Sequence, residues 1–182
     1  AAKFQHFKAE TIVSDYGFKN LGKITHQKKW NKSVYQVYKE ASIDNSWTPR
    51  LKKECHKHGI AFMTSPYDLD YVDSVYSFID AYKIGSGDLT AYPIIKEFAK
   101  RGKPIILSTG LSDLKEINRT INFLKGINKK YNSYNFLAIL QCTSSYPTVD
   151  HEANLRSIYN FTNNKNITAG YSDHTIGSLA LK

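Results

Sequence analysis

Two lysines, a series of serine and threonine hydroxyls, an aspartate and a histidine stand at the ends of short apolar runs in this chain. In order they are Lys3 and Gln5, then Thr64 and Ser65, then Lys83, Ser86 and Asp88. Ser108 and Thr109 follow, then Thr143, Ser144 and Tyr146, and finally Ser172, Asp173 and His174. A lysine inside an apolar strand is costly to bury unless an anion neutralises it. Hydroxyls, and backbone N–H groups opened by glycine, are donors suited to phosphate oxygens. A single Ser or Thr at such a place more often closes a turn or caps a helix. Recurrence at successive run ends is what points to an anion cradle, and phosphate is the anion it best suits.

His174 lies in Ser172-Asp173-His174-Thr175. A lone histidine is more often structural or simply exposed, but beside an anion cradle a metal ligand or a general acid/base becomes the better reading. No second histidine stands at a metal-type spacing from it. His6 alternates away from Lys3 and Gln5 and is expected to face outward. His26, His56 and His58 belong to lysine-rich polar stretches and read as surface. Cys55 and Cys142 sit far apart in unlike contexts and match no zinc or redox spacing. They read as reduced thiols of a cytoplasmic protein, with Cys142 a small buried residue that no sequence neighbour activates.

The elements that must position these residues follow from the apolar pattern. The runs are Ala2–Phe7, Ile60–Ser65, Ala81–Ser86, Pro104–Thr109, Phe136–Thr143 and Ile167–Ser172, near-continuous in apolar character as in strands covered on both faces. Between them, Pro49–His58 reads as a helix with proline at its start and Gly59 past its end. Leu69–Phe78 carries an apolar stripe with Asp68 as N-cap. Asp113 and Glu116 form a capping-box pattern for a helix to about residue 125. Leu155–Phe161 is a shorter helical candidate. Strand and helix in alternation give an α/β fold with parallel strands. An open dinucleotide-binding sheet needs a glycine-rich turn after its first strand, and none is present. Polar residues at every run end suit a (β/α)8 TIM-type barrel, whose strand ends share one mouth.

The formal net charge of +9 is almost entirely lysine, grouped in Lys19–Lys39, Lys52–Lys57 and Lys125–Lys130. Such runs usually form a solvated face. No nucleic-acid motif accompanies them, so no nucleic-acid partner is expected, while a small anionic substrate would be steered by the field. No stretch reaches the roughly 18 apolar residues of a membrane span, and no membrane partner is expected.

Six stretches together resemble the N-acetylneuraminate (sialic acid) synthase family: Lys3-Phe-Gln5, Phe62-Met-Thr-Ser-Pro66, Ala81-Tyr-Lys-Ile-Gly-Ser-Gly-Asp88, Gly102-Lys-Pro-Ile-Ile-Leu-Ser-Thr-Gly110, Gln141-Cys-Thr-Ser-Ser-Tyr-Pro147 and Gly170-Tyr-Ser-Asp-His-Thr175. The resemblance implies a (β/α)8 barrel that condenses phosphoenolpyruvate with an N-acetylated hexosamine such as N-acetylmannosamine. The products are a nine-carbon 2-keto sugar acid and phosphate. It implies phosphoenolpyruvate contacts from Lys3, Thr64, Lys83, Ser86, Ser108, Ser144 and Ser172. It implies sugar contacts from Gln5, Tyr146 and Asp88, a Mn2+ or Mg2+ ligand in His174, and catalytic roles for Lys83 and Asp88. Glutamate commonly follows Gly-Ser-Gly in that family, so the shorter Asp88 bears on which sugar is accepted. Legionaminic and pseudaminic acid synthases of the same family are alternatives, as is a non-catalytic phosphate-binding barrel fragment.

Family members are cytoplasmic homodimers with a small C-terminal antifreeze-like domain. A complete barrel takes about 250 residues. The expectation is therefore that residues 1–182 are a partial synthase barrel holding the second to seventh strands, without the antifreeze-like domain and inactive by itself. The partner histidine of His174 is expected on the missing eighth strand.

Overall fold

The computed structural model describes residues 1–20, 30–162 and 166–178. His26 and the end of the chain after Ser178 lie outside the described residues. The chain forms two compact units, Ala1–Ile79 and Asp80–Lys182.

In the first unit, strand β1 (Ala2–His6) leads into the short helices α1 (Ala9–Ile12) and α2 (Asp15–Asn20). Helices α3 (Val34–Ala41) and α4 (Thr48–Lys57), strand β2 (Phe62–Pro66) and helix α5 (Leu69–Val75) follow. β1 and β2 pair in parallel, with Lys3 opposite Met63 and Gln5 opposite Ser65. Helix α4 obeys the sequence signals: Pro49 occupies its first turn, and Gly59 beyond its end takes a left-handed φ of +65°. Asp68 caps α5 by accepting from Asp70 N–H, but the helix ends at Val75, short of the expected Phe78. Helix α3 falls within a stretch that lysine content alone had marked. A capping box between Ser33 and Gln36 starts it.

The second unit holds β3 (Ala81–Ile84), α6 (Tyr92–Arg101), β4 (Ile105–Ser108), α7 (Leu114–Ile127), β5 (Leu137–Cys142), α8 (Tyr159–Thr162) and β6 (Thr168–Ser172). Each of its strands pairs in parallel with the next. Its core lies on the helix-covered face. There Tyr82, Ile84, Ile105, Leu107, Leu137 and Ile139 are buried, and α6 and α7 contribute Ile95, Phe98, Ile121 and Leu124. The Tyr82 and Phe98 rings stack at 4.3 Å. Full burial of each such aliphatic side chain is worth about 1.5–3 kcal/mol. The opposite face is only half-buried at Lys83, Ile106, Ala138 and Leu140, so these strands are not covered equally on both faces.

The capping box at Asp113 and Glu116 is formed as the sequence suggests. The candidate helix 155–161 splits into a 3-10 turn, Leu155–Ile158, and α8. Among the described residues no helix is long and apolar enough to cross a membrane.

Candidate active site

The second unit carries the best-formed cluster. In a parallel ladder, paired residues project to the same face and side chains alternate along each strand. The registers Lys83–Ile106, Ser108–Leu140 and Cys142–Ser172 therefore put Lys83, Ser108, Cys142 and Ser172 on one face, opposite the helix-covered core. Half-buried Lys83 donates from Nζ to Ser108 Oγ at 2.6 Å and to the Ile84 carbonyl at 2.8 Å. With its oxygen receiving Lys83, the buried Ser108 hydroxyl keeps its own proton for an acceptor.

Ser86 stands in the 3-10 turn after β3 and accepts from Gly110 N–H at 2.9 Å. Gly110 follows β4, and a Cβ there would collide with Ser144 Oγ and come within 3.0 Å of Ser86 Oγ and 3.2 Å of the Cys142 carbonyl. Glycine is thus required by close approach, and it brings the Ser86 and Ser144 hydroxyls together. A lysine, three serine hydroxyls and an exchangeable backbone N–H form a compact donor set for an anion. Half-buried Asp88 occupies the same turn as Ser86. Burial pushes its carboxyl above the usual carboxylate range, and the charge on Lys83 partly opposes that shift.

His174 follows β6. Its Nδ1 donates to the Thr143 carbonyl at 2.9 Å, lies 3.9 Å from Cys142 Sγ, and its ring packs on exposed Tyr146 at 4.1 Å. Cys142 is buried as expected, but it has a histidine beside it that its sequence neighbours could not reveal. A carbonyl on Nδ1 fixes the tautomer and leaves Nε2 as the nitrogen able to accept a proton or a metal, as metal-binding histidines usually do. Among the described residues no group of three or more His, Cys, Asp or Glu side chains converges. Among those residues, His174 is thus the group that could offer a metal one imidazole nitrogen.

In the first unit, Lys3, Gln5 and Ser65 share a face. Lys3 is exposed, so the cost of burying a lysine applies to Lys83 and not to Lys3. Thr64, expected to meet phosphoenolpyruvate, lies on the other face. It is fully buried and its Oγ1 is 2.7 Å from His6 Nδ1. Alternation puts Ser65, and not Thr64, on the face of Lys3 and Gln5, a signal already present in the sequence. His6 does point away from Lys3 and Gln5, but into the interior rather than to solvent. Gln5 Nε2 donates to the Tyr67 hydroxyl at 3.0 Å, and with Lys3 these residues line a cleft of about 460 Å3. Sequence reasoning missed Tyr67, which follows β2 directly.

The model of a family described as the NeuB family matches residues 1–181. An uncharacterised protein of Methanocaldococcus jannaschii, MJ1065, is 38% identical over 99% of this chain and 48% of its own length. The N,N'-diacetyllegionaminic acid synthase of Campylobacter jejuni is 34% identical over 96% of this chain and 52% of its own. The crystal structure of an N-acetylneuraminic acid synthetase from Leptospira borgpetersenii, in complex with citrate, superimposes with a TM-score of 0.77 at 26% identity. It is covered over 55% of its length by 97% of this chain. The chain therefore spans about half the length of the relatives it matches.

Proposed function

The chain belongs to the NeuB family, and from that premise we propose that it is the phosphoenolpyruvate-holding part of a sugar-acid synthase. The observation that carries this reading is the donor set of Lys83, Ser86, Ser108, Gly110 and Ser144. The phosphate of phosphoenolpyruvate is the matching ligand. Lys83 supplies full charge, and the hydroxyls supply directional donors fixed before the substrate arrives. Ser172, on the same face as Ser108, extends the set.

In the proposed condensation, the methylene carbon of phosphoenolpyruvate attacks the aldehyde carbon of an N-acetylated hexosamine. A carbon–carbon bond forms, the aldehyde oxygen takes up a proton, and positive charge develops at the phosphate-bearing carbon. Water adds there and the C–O bond to phosphate breaks, leaving the 2-keto acid and inorganic phosphate. Asp88 is the carboxylate assigned to steady that charge or orient the water. Lys83 holds the departing phosphate. Gln5 and Tyr146 are assigned to the acceptor sugar. The resemblance also assigns Lys3 to phosphoenolpyruvate; Thr64, turned to the buried face, is not retained there.

His174 is proposed as one ligand to Mn2+ or Mg2+ through Nε2, with its Nδ1 held by the Thr143 carbonyl. Such an ion, when bound, polarises the sugar aldehyde.

The acceptor is N-acetylmannosamine or a diacetamido sugar of the legionaminic or pseudaminic type. A diacetamido sugar of the legionaminic type is favoured by the 34% identity to a legionaminic acid synthase, against 31% to a pseudaminic acid synthase and 27% to the mouse N-acetylneuraminate-9-phosphate synthase. The test incubates the full-length protein with phosphoenolpyruvate, Mn2+ and a panel of N-acetylated and diacetamido hexoses, following phosphate release. Release with one of them is expected; none with any sugar refutes the synthase reading.

A further inference from the structure

His6 is a fully buried histidine that the proposed chemistry does not use. Its Nδ1 lies 2.7 Å from Thr64 Oγ1 on β2, and its Nε2 lies 2.9 Å from Thr48 Oγ1 at the start of α4. Thr48 Oγ1 in turn faces Asn45 Oδ1 at 3.5 Å, and the same oxygen accepts from Ser74 at 3.3 Å. A carbonyl oxygen can only accept, so the single Thr48 proton turns to Asn45 and Thr48 receives Nε2–H. Nδ1 then accepts from the Thr64 hydroxyl. The network assigns one tautomer and one direction: Thr64 to His6 to Thr48 to Asn45.

The position of this chain gives it a consequence on the other face of the strands. His6 is opposite Pro66 and Thr64 is opposite Phe4, so the imidazole ties β1 to β2 diagonally. The pair enclosed by that diagonal is Gln5–Ser65, which projects the opposite way. The His6 carbonyl also accepts from Tyr67 N–H at 2.9 Å, and the Tyr67 hydroxyl accepts from the Gln5 amide at 3.0 Å.

We propose that His6 is a positioning residue for the acceptor sugar, fixing through Thr64, Thr48 and Tyr67 the height and orientation at which Gln5 presents its amide. This inference rests on the reading that Gln5 meets the acceptor. Small displacements of a positioning group weaken a substrate's productive pose without touching the reacting atoms. His6 and Thr64 act from beneath the strands, so phosphoenolpyruvate binding is not their task.

The test uses the full-length synthase, with KM for each substrate and kcat measured separately, and a thermal melt for every variant. Thr64→Val keeps the side-chain volume and removes the donor; it is expected to raise the acceptor KM about tenfold while the phosphoenolpyruvate KM stays within about twofold. Thr48→Val, at the far end of the chain, shifts the same constant in the same direction. Thr64→Ser restores the hydroxyl and the wild-type acceptor KM. A rise in the phosphoenolpyruvate KM with Thr64→Val would make Thr64 a direct ligand and overturn the inference. Lowered melting temperature with both KM values unchanged would make the network structural only, and overturns it equally. A wild-type protein that releases no phosphate with any sugar removes the synthase reading itself, an outcome distinct from either of these.

Discussion

Hydroxyl type divides by task along the strand ends. Thr64 is committed to His6, Thr109 Oγ1 donates to the Leu140 carbonyl at 2.9 Å, and Thr143 Oγ1 donates to the Glu152 carbonyl at 2.8 Å. The serines Ser86, Ser108 and Ser144 are the hydroxyls gathered near Lys83 and Gly110. A motif written Thr-Ser or Ser-Thr does not say which member faces the ligand. Strand alternation does, and at Ser65 that reading was available from Lys3 and Gln5 alone. Two substitutions test the cradle at this scale. Lys83→Ala removes the full charge that sits among the serine hydroxyls and should weaken phosphoenolpyruvate binding by about 2 kcal/mol or more, read by calorimetry. Gly110→Ala should raise the phosphoenolpyruvate Kd about tenfold or more, because the new methyl displaces the Ser144 and Ser86 hydroxyls. Its melting temperature should fall as well, since the methyl also crowds the Cys142 backbone carbonyl, which cannot rotate away as a serine hydroxyl can. For Asp88, burial raises the carboxyl pKa. If the carboxylate is the working form, the acid limb of the kcat profile should lie at higher pH than an ordinary aspartate would give. Asp88→Asn should remove that limb together with most of the activity.

At the scale of the element, the six strands were legible because their apolar runs end abruptly in polar residues. Helices α4 and α7 were legible because proline, glycine and capping-box residues bracket them. Helix α6 carries the same punctuation, Pro93 in its first turn and Gly102 at φ +63° after its last. Between those marks its buried positions are Ile95, Phe98 and Ala99, a short stripe in a helix of ten residues. What no local pattern could reveal is pairing across distance. The approach of Cys142 to His174 spans 32 positions and His6 to Thr64 spans 58, and the β-register sets both. The buried His6 network also makes a prediction about stability. Burial lowers the His6 pKa from 6.5 to about 4, whereas the unfolded chain keeps the ordinary value. Between those two values the unfolded state binds more protons, so stability falls as pH falls. Above 6.5 both states hold the neutral ring and this contribution is flat. By pH 4 the loss is about 3 kcal/mol from this group. Urea unfolding from pH 7 to pH 4 should show that slope. His6→Gln, which cannot titrate, should be less stable at pH 7 but lack the His6 part of the slope; an unchanged slope would mean that His6 titrates alike in the folded and unfolded chains.

For the whole molecule, the net charge of +9 invites a polyanion reading, and the arrangement of the lysines argues against it. Lys8 pairs with Asp68 and Asp70, Lys19 with Asp15, Lys32 with Glu40, Lys57 with Glu54 and Lys100 with Glu97. Such exposed pairs contribute little to stability, about 0–1 kcal/mol each, but Lys19, Lys32 and Lys57, which belong to the charge runs, each stand beside a carboxylate. A nucleic-acid surface would instead leave a continuous row of cations for phosphates. The lysine that matters to the candidate site is Lys83, which is half-buried and sits among hydroxyls. Ionic strength separates these readings. A surface making 6–10 phosphate contacts loses about 10³–10⁵ in affinity between 50 and 200 mM salt. A small anion held by Lys83 and serine hydroxyls meets one partly buried charge, which salt screens far less. The phosphoenolpyruvate Kd should therefore rise by only about threefold over the same range. Replacing Lys52, Lys53 and Lys57 together by Glu should slow association through the reversed field and leave dissociation unchanged, measured by stopped-flow binding. Faster dissociation in that variant would place part of the anion's contacts on the lysine-rich face of α4, away from the strand ends.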